Sequence, residues 1–385
     1  MAESADVFDV LICGAGPAGS TCALAMGKSG LRVALLDKSS FPRDKVCGDA
    51  LAAYVPKVLE SIDPSYAEAF RQFSERERVN TVRIVAPNEK HVDVPFSIEG
   101  CISTRLAFDD FLFQLAKKLP QVTVFENTTV TDVAVLPYGA WVSTGSGNRL
   151  HAKMIIGCDG ANGVVARKLT KTKVDLNHHS GAVRGYYENV QGIPPGTFEI
   201  HLLKEVLPGY LWIFPLPGNK ANVGLGQLSQ SVSDKKVNLR EVLKRVVAES
   251  PTLKNRFKDA TLLGDIRGYG LPLGSRKVTM SGERFMLCGD AASLIDPLTG
   301  EGIGQAMVSG RYAGWQAAKC IAENKFSAAC MKEYDDLVYA KFWKTHFSHY
   351  LAQKVIGDRP WVVNASIGLA LRSSVLEKVL KKLFW

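Results

Sequence analysis

VFDVLICGAGPAGS, residues 7–20, is an apolar run broken by Asp9 that passes into a glycine turn. A small-residue stretch follows, ending near Gly30, and then LRVALLD at 31–37. Strand, glycine turn, helix and strand come in the order of a mononucleotide-binding βαβ unit. Gly14 supplies the tight turn, Gly16 lets the backbone approach a pyrophosphate, and Gly19 lets the helix touch the strand. Asp37, 23 residues after Gly14, stands where an acid accepts from a ribose hydroxyl. The pattern predicts a dinucleotide site and fits NAD and FAD equally.

Working outward, FMLCGDAASLIDPLTGEGIG at 285–304 reads as a second buried strand, ending at Gly289–Asp290 and turning through Pro297, Gly300 and Gly302 into a helix. Asp290 at the strand end can accept hydrogen bonds from a polyol chain. The helix start at Gly302–Ile303 points N–H groups at negative charge, such as that on the pyrimidine side of a reduced flavin. TRLAFDDFLFQLAKKL from Thr104 has helical apolar spacing, and 122–156 reads as short strands ending in HAKMIIGCDG. Between about 175 and 264, Gly, Pro and aromatic residues punctuate short runs with the texture of an antiparallel sheet. These features predict an α/β chain with a discontinuous Rossmann-like FAD-binding domain (1–75, 101–175 and 265–325). An inserted antiparallel-sheet substrate domain (76–100 and 176–264) and a helical C-terminal region (326–385) complete it.

Composition narrows the function classes. With 22% charged and 46% hydrophobic residues the chain reads as an ordinary folded protein, without collagen-like or disordered bias. Net charge is +9, and residues 331–385 hold nine Lys/Arg against five Asp/Glu. No dense basic stripe interleaved with aromatics accompanies that excess, which argues against a nucleic-acid partner. Glu3, Asp6 and Asp9 surround the first apolar run, so no export signal is expected, and no apolar stretch reaches the roughly 18–20 residues of a membrane span. The eight cysteines form no CxxC pair and no metal-spaced cluster, so the expectation is a reducing, cytoplasmic protein without structural zinc.

Through these glycine-bearing sites the chain resembles the FAD-dependent reductases and hydroxylases of the p-hydroxybenzoate hydroxylase fold. The resemblance extends to Asp159–Gly160 in IIGCDGANGVVAR, where that superfamily has a DG motif implicated in FAD and pyridine-nucleotide handling. It departs from the usual pattern at Asn162, where a serine is frequent. It also implies that Arg105, in the helix from Thr104, contacts FAD. Read from the residues alone, the plainer alternatives are a surface ion pair for Arg105 and a turn for Asp159.

Two further stretches, FPRDKVCGD (41–49) and LPGYLWIFPLPGNKANVGLG (207–226), are similar to the geranylgeranyl reductase family, with its K-x-C-G segment and its Y-x-W-x-F-P motif ahead of V-G-x-G. The resemblance implies FAD held by Gly14, Gly16, Ala18, Gly19, Asp37, Lys38, Cys47, Gly48, Arg105, Asp159, Gly160, Asp290, Gly300, Gly302 and Ile303. It implies hydrogenation of isolated double bonds in a lipid-borne prenyl chain by hydride from reduced FAD, with Cys47 or an ordered water as proton donor. NAD(P)H, a ferredoxin or a quinol would be the electron donor. Tyr210, Trp212 and Phe214 fall on one side of a strand, either as an aromatic wall for an apolar substrate or as filling between sheet and FAD domain. Cys47 lies in a Pro/Gly-bounded loop, as a functional thiol whose pKa Lys45 could lower or as a packing cysteine. An FAD-dependent hydroxylase of a hydrophobic molecule is the alternative, whereas Tyr210 and Phe214 argue against the W-x-W-x-I-P of flavin halogenases. In SSVLEKVLKKLFW (373–385), Val375, Leu376, Val379, Leu380 and Leu383 recur at helical spacing opposite Lys378, Lys381 and Lys382. This is expected to dock peripherally on the inner face of a membrane or else to pack on the protein. The sequence carries no signal for an oligomeric state.

Overall fold

The structure is a computed structural model and describes residues 7–371. Two eight-stranded sheets organise it. In the first, the fingerprint strand Val7–Cys13 lies between two parallel neighbours, Val33–Leu36 (Val10 opposite Val33) and Arg149–Gly157 (Val10 opposite Met154). Phe285–Leu287 extends the sheet beyond Arg149–Gly157, and Val122–Phe125 extends it beyond Val33–Leu36, both in parallel. Covered on both faces, these strands must be apolar throughout, and Val10, Leu11, Ile12 and Cys13 are fully buried. Asp9 is tolerated because it lies near the start of the strand, where its carboxylate accepts from the Arg32 N–H (2.9 Å) and pairs with Lys153 (2.9 Å). Val130–Leu136 and Gly139–Thr144 add an antiparallel flap.

The helix Ile303–Ala322 packs against the fingerprint helix Pro17–Ala25 at very short range. A Cβ placed on Gly310 would lie 2.1 Å from the Ala18 carbonyl oxygen, and one on Gly314 2.6 Å from that of Cys22. Small residues along this helix therefore permit a backbone approach that no larger side chain would allow.

The second sheet runs in the order Thr261–Pro272, His179–Glu188, Lys220–Leu228, Gly209–Leu216, Thr197–His201, Glu77–Val85, His91–Ile102 and Ala50–Leu51. It is antiparallel as expected, except that Thr197–His201 runs parallel to Glu77–Val85. That pair joins two separate chain segments, so no hairpin imposes antiparallel order on it. Alternation along Gly209–Leu216 divides the strand. Leu211 and Ile213 pack under the helix Leu239–Glu249, while Trp212 and Phe214 face the opposite way. The helices Ala328–Ile356 and Pro360–Ala370 follow, and Val363 and Ile367 of the latter pack on that second face. Residues 373–385, where the sequence places an amphipathic helix, lie outside the described residues. Among the described residues no helix is long and apolar enough to cross a membrane.

Candidate active site

A cavity of about 1210 Å³ runs from the fingerprint turn to the second sheet. At one end Gly14 has φ +99°, a conformation only glycine adopts readily, and a Cβ there would lie 2.3 Å from the Cys158 carbonyl oxygen. Gly16 opens toward the cavity, its nearest neighbour being the Arg43 guanidinium at 3.3 Å from a would-be Cβ. Ala18 also lines the cavity, but Gly19 does not. Gly19 is needed for packing, because a Cβ there would lie 1.8 Å from the Gly14 oxygen. The Asp37 carboxylate accepts from the Ala15 N–H (2.9 Å) and the Ser39 N–H (3.0 Å), so it braces the turn as well as facing the cavity beside the exposed Lys38.

Arg105 is not in a surface ion pair. It is 4% exposed and makes two bonds to the fully buried Asp109, at 2.6 and 2.7 Å, while Arg43 reaches the same carboxylate at 2.7 Å. Burial alone would raise Asp109, but the two guanidiniums outweigh it and hold its carboxyl below the usual range. One carboxylate against two guanidiniums leaves a net positive charge beside the start of the fingerprint helix, where backbone N–H groups are also unpaired. Arg43 and Asp109 were not singled out by the sequence. The i, i+4 spacing of Arg105 and Asp109 was a usable signal, and Arg43 gave none.

Farther along, Lys45 of the KVCGD loop lies 2.9 Å from Asp290. The Asp159 Oδ2 accepts from the Val165 N–H at 3.0 Å, at the start of the helix Val164–Leu169, and its Oδ1 is buried without a protein partner. Gly160 and Gly300 take positive φ, and Gly302 caps the helix whose first residue is Ile303. All line the cavity.

Tyr210, Trp212 and Phe214 line the far wall, with ring centroids 6.1 Å apart in sequence. Trp212 and Phe214 are each 7% exposed, so these rings both fill the core and face the cavity. Tyr210 donates to the Thr299 carbonyl, tying the wall to the glycine turn before Gly302. Gly48 seats the Cys47 loop on the wall, since a Cβ there would lie 3.2 Å from Phe214. Burial pushes the Cys47 thiol up, opposed by Arg105 and, more weakly, by Lys45. The expected lowering by Lys45 does not prevail, and Cys47 is a protonated thiol at neutral pH. Glu301, also on the cavity wall, is pushed up to about 7 by burial and accepts from the Tyr54 hydroxyl at 2.9 Å.

The FAD binding domain family matches residues 7–336. The chain is 30% identical over 366 residues to a digeranylgeranylglycerophospholipid reductase of Thermoplasma acidophilum, spanning 91% of this chain and 87% of that one. The chain belongs to the geranylgeranyl reductase family of FAD-dependent oxidoreductases. It is also 30% identical to a menaquinone reductase of Mycobacterium tuberculosis, over 80% of this chain and 76% of the relative. A geranylgeranyl bacteriochlorophyll reductase-like crystal structure from Thermoplasma acidophilum matches this reductase-family chain with a TM-score of 0.82 at 26% identity, covering 94% and 91% of the two chains. The cavity fits the cofactor that the family implies. The open Gly16 cradle and the Arg43–Asp109–Arg105 cluster suit a pyrophosphate, Asp37 and Asp290 supply acceptors for sugar and polyol hydroxyls, and Asp159, with one carboxylate oxygen left unpartnered, also lines the cavity.

Proposed function

We propose that this enzyme hydrogenates isolated double bonds in the prenyl chain of a lipid. The observation that carries the reading is one continuous cavity joining the dinucleotide turn to the Tyr210–Trp212–Phe214 wall, with the Cys47 loop set between them. Gly14, Gly16, Ala18, Arg105 and Arg43 would hold the FAD pyrophosphate, Asp37 and Lys38 the adenosine side, Asp159, Gly160 and Asp290 the polyol, and Gly300, Gly302 and Ile303 the pyrimidine edge. Bound and reduced, FAD supplies the hydride. The aromatic wall orients the chain and excludes water, which an unactivated alkene requires because it accepts hydride poorly. Cys47, held as a thiol, delivers its proton to the other alkene carbon.

Chain recognition by this wall is separate from head-group recognition, so glycerophospholipid and quinone carriers of a prenyl chain both suit it. Such substrates reside in bilayers, and we propose that the enzyme meets them by docking on the membrane surface.

The test is to reduce the FAD-loaded enzyme with dithionite without oxygen, add prenyl lipids, and weigh the products. Hydrogen gained in pairs supports the reading. Oxygen incorporated only in air, with no saturation, overturns it in favour of hydroxylation.

A further inference from the structure

The Cys47 loop is fastened to the second sheet through an acid in a costly place. Asp49 is fully buried and has φ +70°, a region that L side chains rarely adopt. Its Oδ2 accepts from the Tyr186 hydroxyl (2.8 Å) and the Asn222 amide (2.8 Å), and its Oδ1, also buried, has no protein partner. The Asn222 amide also donates to the Cys47 carbonyl at 2.7 Å, while its own oxygen accepts from the Trp212 indole at 2.9 Å. Arg184 grips Asp44 at the other end of the loop (2.7 and 2.8 Å) and lies 4.0 Å over the Tyr186 ring.

Shape alone does not call for an acid here. Asparagine could take the same two bonds, and glycine would relieve the backbone. A buried carboxylate is instead an expensive way to place charge. Burial pushes Asp49 up to about 6, so it is ionised at and above neutral pH. Its charge and that of a Cys47 thiolate repel, which adds to the effect of burial on the sulfur. Arg105 on its helix, the backbone N–H of Asp49 itself, which bonds the sulfur and stays in Asp49→Asn, and Lys45 on the loop act in the opposite sense. Arg184 and Tyr186 face Asp49 from the second sheet, and Tyr210 faces Cys47.

We infer that Asp49 is the positioning residue of Cys47: through Asn222 it fixes the Cys47 backbone against Trp212, and its charge opposes the thiolate. The inference rests on the proposed role of Cys47. In that role the S–H bond breaks as the new C–H bond forms, and sulfur then regains a proton from solvent. An adjacent carboxylate favours that return.

The experiment follows alkylation of Cys47 by iodoacetamide in the FAD-loaded protein, resolved by peptide mass spectrometry from about pH 5.5 to 10. In Asp49→Asn the profile should shift to lower pH, with Cys47 reacting about 3–10-fold faster near pH 8 and the same plateau at high pH. Superimposed profiles, or one factor of increase at every pH, would overturn the inference. Tyr186→Phe removes a donor from the carboxylate and so raises the pH at which Asp49 ionises. Its profile should approach that of Asp49→Asn between about pH 6 and 7 and rejoin wild type above, and an unmoved profile there also counts against the inference. Alkylation reads the sulfur without turnover. Full turnover in Cys47→Ser therefore rejects Cys47 as proton source independently of what Asp49 does to it.

Discussion

Lys45 and Asp290 stand 245 residues apart in the chain and 2.9 Å apart in the fold, closing the KVCGD loop over the strand end that carries the GD pair. Asp290 is thus an acceptor already aimed into the cavity. Replacing it with Ala removes a charge-assisted bond of about 1.5–3 kcal/mol, and FAD should bind about 10–150-fold more weakly. Titration of apoprotein followed by flavin fluorescence measures this, and an unchanged dissociation constant would remove Asp290 from the cofactor site.

Much of this cleft was legible because its requirements are local. Gly14 is demanded by the positive φ of its turn and Gly19 by its contact with Gly14 inside that turn, and period-two alternation put Tyr210, Trp212 and Phe214 on one face. The clamps were not legible. Arg43 meets Asp109 across 66 residues and Asn222 meets Asp49 across 173, and only the folding of distant segments onto one another brings each pair together. Asp49 was hidden further by its type, since an acid after glycine reads as an exposed turn and here is fully buried. The parallel pairing of Thr197–His201 with Glu77–Val85 escaped for the same reason, because register between distant segments leaves no mark in either.

Asp109 gives a pH prediction with a definite sign. Its folded pKa is depressed, so the stability it contributes is present above its unfolded value of about 3.9 and is lost as pH falls through the lower folded value. Asp109→Asn leaves Arg105 buried without a counter-charge and should cost about 3–5 kcal/mol at pH 7. Urea melts at pH 7 and about pH 3 should show the gap to wild type narrowing in acid. A gap independent of pH would show that shape rather than charge holds the cluster.

Two glycines in helices should respond in opposite directions. Gly310→Ala drives a methyl to 2.1 Å from the Ala18 oxygen, so the two helices must part, at a cost of about 1–3 kcal/mol or more. Gly368 has nothing within 4 Å of a would-be Cβ, and Gly368→Ala should gain up to about 1 kcal/mol of helix propensity. Thermal melts of the two variants compare them directly, and similar shifts would contradict the close packing.

Cys47→Ser should sharply reduce alkene hydrogenation while leaving FAD binding and flavin reduction intact. Serine keeps the shape of the side chain but is a far weaker acid than a thiol. Single-turnover product analysis of dithionite-reduced enzyme isolates that step. Wild-type yield and rate would return Cys47 to packing against the cavity wall.

Membrane docking has a testable surface within the described residues. On the helix Ala328–Ile356, Phe347, Leu351 and Val355 recur every four residues and are 43%, 48% and 58% exposed, and Trp361, 69% exposed, follows at the next helix. The opposite side of the same helix places His346, His349, Gln353 and Ile356 on the cavity wall. Only one helix thickness therefore separates the exposed apolar face from the proposed chain site, a short path for a substrate leaving a bilayer. Lys344 and Lys354 lie on the same helix and suit an anionic surface, each near-surface cation adding about 1 kcal/mol. Half-inserting an apolar side chain contributes about 1 kcal/mol, so Leu351→Glu with Trp361→Glu should weaken co-sedimentation with anionic vesicles at least about tenfold. FAD content checks that the variant is folded. Binding equal to wild type would exclude this face, and a chain truncated after Leu371 then asks whether residues beyond it make the contact instead.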